Sequence, residues 1–162
     1  MEAVTKTRKT YQGMIEKLEP NQIFVFGSNT EGKHGAGAAL WARINAGAIY
    51  GQPYGFHGDT FGACYSIVTK DLNIKEQPSI PEEHIVNQIK WLYAIAKTIP
   101  YKEFIIAYSG TRPNLNGYSN LEMAKMFKQA GVDMSPRGID TSSRIPDNII
   151  FEQKFWELIQ IV

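Results

Sequence analysis

Cysteine is nearly absent from this 162-residue chain. Cys64 stands alone, so no internal disulfide can form, which suits a reducing compartment. Cys64 opens an apolar run and reads as a small buried hydrophobe rather than a nucleophile. No uninterrupted apolar stretch is long enough to cross a bilayer, and the first residues lack the hydrophobic core of a signal peptide. The expected location is the cytoplasm, with no membrane partner. Charge imbalance is missing too: a formal net charge of +1 makes no field that would gather nucleic-acid backbone or anionic lipid. His34, His57 and His84 are scattered and do not form a metal-ligand pattern with the lone cysteine, so neither a metal nor a cofactor is expected. No Ser-His-Asp spacing, internal repeat or low-complexity linker stands out.

What is present is the make-up of one globular domain, with 43% hydrophobic and 20% charged residues. Residues 1–10 are polar and basic (Lys6, Arg8, Lys9) and read as a loose tail before a single domain at 11–162. Tyr11 to Leu18 alternates weakly, as an edge strand would. Ile23–Phe26, Cys64–Val68 and Phe104–Tyr108 are short continuous apolar runs of the kind fully buried strands need. Between them, Leu40, Trp41, Ile44 and Ala48 recur at helical spacing, as do Ile85, Ile89, Leu92 and Ala96. Ser79-Ile80-Pro81-Glu82 and Ser119-Asn120-Leu121-Glu122 have the form of capping boxes. Met123, Met126, Phe127 and Ala130 mark a third helix that Gly131 would end, and 149–162 reads as a closing helix with Phe155, Leu158 and Ile159 inward. Strand and helix thus alternate three times, which predicts an α/β fold with three layers, α/β/α, around a mixed but mainly parallel sheet. Gly47 to Gly62, rich in glycine and aromatic residues, is an irregular loop whose rings either cover a ligand or pack beneath it. Residues 135–147, with Arg137 and Arg144, are polar and irregular.

The stretch from Ile23 to Ala39 carries the chemistry. A buried strand ends in Gly27-Ser28-Asn29-Thr30, a glycine loop follows (Gly32, Gly35, Gly37), and a helix begins at Ala38. Polar groups at the carboxyl end of a strand lie where open α/β sheets bind ligands. The first N–H groups of the helix have no internal partner and favour an anion. Gly35 and Gly37 let the backbone come close to a phosphate. The Walker A pattern fails because His34 follows Gly32-Lys33, and the dinucleotide pattern Gly-x-Gly-x-x-Gly fails because Leu40 takes the third small position.

Together the residues Phe-Gly-Ser-Asn at 26–29, His-Gly-Ala-Gly-Ala-Ala at 34–39 and the later Gly/Asn loop before a capped helix resemble the macro domain, the ADP-ribose-binding fold, and above all its small bacterial and phage relatives. The resemblance runs from about Ile23 to the last helix. It implies that Asn29 meets the distal ribose and that Gly35, Ala36 and Gly37 hold the diphosphate. It also implies that Ser109-Gly110-Thr111 through Asn116-Gly117-Tyr118 form a second phosphate loop, with Tyr118 stacked on the sugar. Gly27, Ser28 and His34 complete the ligand-binding set. Arg112 to Leu115 interrupt the usual second-loop pattern, and Asn21 or Gln22 stands where an adenine-reading aspartate is usual.

Hydrolysis at an ADP-ribosyl linkage needs a held water and stabilised charge at the anomeric carbon, to which the diphosphate itself contributes. Asn29 and Asp71 are the candidate catalytic residues, with Asp59 a further spare acid; aspartates at such positions more often cap turns. Two readings follow for ADP-ribose or a related nucleotide diphosphate-sugar: a hydrolase acting on an ADP-ribosyl or acyl-ADP-ribose linkage, and a non-catalytic sensor. A Rossmann-type NAD(P)-dependent oxidoreductase is a third.

Overall fold

The computed structural model describes residues 8–58, 63–134 and 145–162, arranged about a six-stranded sheet. In chain order the elements are β1 (Thr10–Tyr11), β2 (Gln22–Asn29), α1 (Gly37–Asn45), β3 (Gly55–Phe56), β4 (Cys64–Lys70), α2 (Glu82–Thr98), β5 (Glu103–Ile106), α3 (Asn120–Asp133), β6 (Ile149–Glu152) and α4 (Gln153–Ile161). The strands lie in the order β1-β6-β5-β2-β4-β3. Every neighbouring pair is parallel except β3 with β4.

Alternation along β2 divides the core into two layers. Ile23 and Val25 face one way, into a cluster built with Ile85, Ile89 and Leu92 of α2, Met123 and Phe127 of α3 and Phe155 of α4. Phe24 and Phe26 face the other way, against Ala42 of α1, Ala46 just past it, and the rim residues Trp41, Ile15 and Leu18. Ala42 and Ala46 are small and one helical turn apart, which lets α1 lie close over the two phenylalanines. The α/β class and the three layers are therefore as expected, with α1 on one face and α2, α3 and α4 on the other.

Several local expectations are corrected. Ile44 is 71% exposed, because α1 turns its alanines rather than its isoleucine to the sheet. The 149–162 segment is not one helix: Ile149–Glu152 is a fourth buried parallel strand, and Glu152 then caps α4 by accepting from Lys154 N and Phe155 N. Ser79 is not a helix cap, since its hydroxyl accepts from Asp71 N at 2.8 Å and α2 begins after Pro81 without a side-chain cap. The capping box at Ser119 and Glu122 forms as expected. Gly131 does not end α3, which runs on to Asp133; Gly131 is instead a close-packing site, where an added Cβ would meet Ile145 Cγ1 at 3.0 Å. The strand expected at 11–18 is confined to β1, and the end of the supposed tail is fastened: Arg8 donates to the carbonyls of Ile145, Pro146 and Ile149 and lies over the Trp156 ring. Asp59, Arg137 and Arg144 lie outside the described residues. No described helix is long and apolar enough to cross a membrane.

Candidate functional site

β2 and β5 are parallel neighbours, paired from Gln22↔Glu103 to Val25↔Ile106. The chain leaves β2 for α1 on one face of the sheet and leaves β5 for α3 on the other. Their exit loops part above the carboxyl ends of the two strands, and the crevice left at such a point is where open α/β sheets take ligands. Two contacts close its base and mouth. The position of a Cβ on Gly27 is 2.6 Å from the Tyr108 hydroxyl, and that of a Cβ on Gly37 is 3.4 Å from Leu115 Cδ1. The two loops singled out in the sequence thus meet in space.

The first loop is organised by Asn29. The β2–β4 ladder slips between Ser28 and Asn29, as at a bulge. Beyond that slip the Asn29 amide turns into its own loop, donating to Lys33 O at 2.7 Å and accepting from Glu31 N at 3.2 Å and Lys33 N at 3.0 Å. All of its polar atoms have partners within the loop. Gly32 (φ +67°) is pressed on the next segment, where a Cβ would fall 2.5 Å from Gln52 N. Gly35, Ala36 and Gly37 are exposed, and Gly37 has φ +56°. Ala36 caps α1 without a side-chain bond, and no acidic residue stands in the first turn.

Across the crevice, the Ser109 hydroxyl accepts from Thr111 N at 3.0 Å and Arg112 N at 3.1 Å, and Gly110 N donates to Glu152 Oε1 at 2.8 Å. Asn114 and Asn116 build consecutive turns, accepting from Asn116 N and Tyr118 N. Gly117 (φ +88°) packs on Pro78, and the Tyr118 hydroxyl donates to Ile80 O, which turns it toward the 77–80 segment. Asp71, at the exit of β4, accepts from Asn73 N at 2.9 Å and lies 3.5 Å from Thr30 Oγ1 as a turn-holding group.

Beneath the loops lies a buried polar floor that the sequence reading did not single out as a unit. His34, expected among the ligand-binding residues, is 0% exposed; its Nε2 is 3.3 Å from Ser28 Oγ and its ring meets Phe26 edge-on. The His57 ring packs beside it, accepting from Ile49 N at Nδ1 and donating from Nε2 to Ser66 Oγ, whose proton goes to Pro53 O. That pattern fixes the neutral tautomer. Burial, helped by His34, lowers the His57 pKa to about 4, and burial with Arg43 lowers that of His34. Thr69 and the Tyr108 hydroxyl extend the floor toward Asn116, and Tyr108 Oη and His34 Nδ1 are buried without a hydrogen bond of ordinary geometry. Cys64 is buried with its pKa pushed up to about 12, the state of an inert thiol.

One open cleft adjoins this region and another lies away from it. A groove of about 610 Å³ adjoins the second loop through Ser109, Thr111 and Arg112, with Gln12, Gln153 and Lys154 on its far side. Another of about 470 Å³ lies at the opposite end of the sheet, beside Gln22, Trp41 and Lys102. Among the described residues no group of three or more His, Cys, Asp or Glu is placed to hold a metal ion. Set against protein-family models the chain matches none, and a search of curated proteins returns no match. The chemistry of the site therefore rests on its geometry.

Proposed function

We propose that the chain binds ADP-ribose or a related nucleotide diphosphate-sugar in the crevice between the exits of β2 and β5, with the diphosphate on the N-terminus of α1. One observation carries this reading. The other three described helices each carry acidic residues at the N-terminus: Glu82 and Glu83 in the first turn of α2, Glu122 in that of α3 and Glu152 as the cap of α4. α1 alone has neither a side-chain cap nor an acid in its first turn, and it is the helix that opens at the crevice. Unpaired N–H groups and the positive end of a helix dipole suit a phosphate. The macro-domain resemblance of residues 26–39 supports the ribose and the diphosphate, while Asn21 or Gln22 stands in place of that family's adenine-reading aspartate.

Within that reading a non-catalytic binding module is favoured over a hydrolase, because the Asn29 amide and the Asp71 carboxylate are both engaged in holding turns. Calorimetric titration with ADP-ribose, AMP and NAD in parallel tests the ligand. ADP-ribose should bind most tightly, and failure of all three overturns the proposal. Release of label from an ADP-ribosylated protein would overturn the non-catalytic part alone.

A further inference from the structure

Between Asn29 and α1 the glycine loop has a single buried side chain, that of His34. Everything after it up to α1 is exposed: Gly35, Ala36 and Gly37 have at most a methyl group to hold them. No Cβ placed on Gly35 would touch anything within 4 Å, so packing does not fix that residue either. The His34 ring, by contrast, is held on three sides. Ser28 Oγ lies 3.3 Å from Nε2, Phe26 meets the ring at 5.3 Å between centroids, and His57 at 5.4 Å. His57 is itself immobilised by Ile49 N and Ser66 Oγ, so the wall behind His34 is a fixed one.

We infer that His34 is a positioning residue: the hydrogen bond between its buried Nε2 and Ser28, rather than any contact with a ligand, sets where the Gly35–Gly37 backbone stands at the crevice. The Asn29 network fixes the loop as far as Lys33, and His34 is the next and last tether before the helix. A loop of small residues anchored at that one point keeps its amides aimed into the crevice at little cost in side-chain bulk. The functional consequence rests on the α1 N-terminus being the phosphate site.

The test uses the full chain with His34→Phe, which keeps the ring and its packing but loses the polar atom at Ser28, and His34→Gln, whose amide nitrogen reaches the place of Nε2. Amide ¹H–¹⁵N shifts of Gly35 and Gly37 are read without ligand, then ADP-ribose affinity by calorimetry. His34→Phe should move both glycine signals and weaken ADP-ribose binding by about tenfold or more, a loss readable against the usual affinity scale; His34→Gln should restore most of each. Glycine signals and affinity in His34→Phe that match the parent, or a Gln variant no better than Phe, would overturn the inference. Should His34→Phe not fold, Ser28→Ala removes only the hydroxyl partner and should shift the same two signals in the same sense. If the parent protein binds no ADP-ribose, the proposed function fails, while the glycine shifts still decide whether His34 places the loop.

Discussion

The Tyr108 hydroxyl occupies the space that a side chain on Gly27 would need. An ideal Cβ on Gly27 falls 2.6 Å from Tyr108 Oη and 3.2 Å from Thr69 Oγ1. The glycine at the end of β2 is therefore a packing requirement of the crevice floor.

Gly27→Ala should destabilise the fold by about 1–3 kcal/mol, the usual cost of overpacking a well-filled site. Tyr108→Phe alone should cost less than about 1 kcal/mol, since that hydroxyl makes no hydrogen bond of ordinary geometry. Combining the two should recover part of the Gly27→Ala loss, and a denaturant double-mutant cycle reads the coupling. Strict additivity would show that the hydroxyl is not the obstacle.

At Gly37 the backbone is left-handed, with φ +56°. An alanine there should cost about 1–2 kcal/mol of stability. Valine should weaken ADP-ribose binding by about tenfold or more, its branched carbon standing against Leu115 at the mouth of the crevice. Melting temperature and affinity are measured together. A folded fraction that binds normally would mean that the loop serves the fold and not a ligand.

Asn29→Ala should free the 31–33 loop. Three hydrogen bonds disappear, and the amides of Glu31 and Lys33 should exchange with solvent faster. The stability loss expected is about 1 kcal/mol, as for a typical net hydrogen bond. ADP-ribose affinity should fall through loop disorder, and Asn29→Asp, which keeps the acceptor, should lie between the two. Unaltered exchange at Glu31 and Lys33 would refute this role.

His57 makes stability depend on pH. Its folded pKa of about 4 lies below its ordinary value of 6.5, so the unfolded chain takes up a proton first as pH falls. The stabilisation from this group is fully present above pH 6.5 and is lost progressively down to about pH 4. His57→Asn keeps an acceptor near Ile49 N and removes the titration. The melting temperature of the parent should drop more steeply between those pH values than that of the variant; parallel curves would remove His57 from the acid response.

The buried strands and the α2 and α3 stripes were legible because each is a one-dimensional pattern. Ile23–Phe26 and Phe104–Ile106 are unbroken apolar runs, and Ile85, Ile89, Leu92 and Ala96 keep a strict helical period, all now in the core. β6 was hidden because Ile149, Ile150 and Phe151 run straight into the apolar residues of α4, and no periodicity separates a short buried strand from a helix start. The strand's signal was the β-branched, aromatic run after Pro146. For the candidate site, sequence brought out both loops but not what their side chains do. That His34 is buried depends on Phe26 and on a histidine from another loop, and that Asn29 is spent on the loop depends on how the backbone curls back at Lys33. Such contacts exist only after folding.

Arg8 and β1 bind the beginning of the chain to a strand made near its other end. Thr10 pairs with Phe151, and the Arg8 guanidinium bonds to carbonyls 137 to 141 residues further on. Read in the direction of synthesis, this edge of the sheet has no partner until β6 has left the ribosome. Arg8 and β1 thus leave the ribosome long before the strand they bind, and closing so long a loop makes their docking a late step of folding.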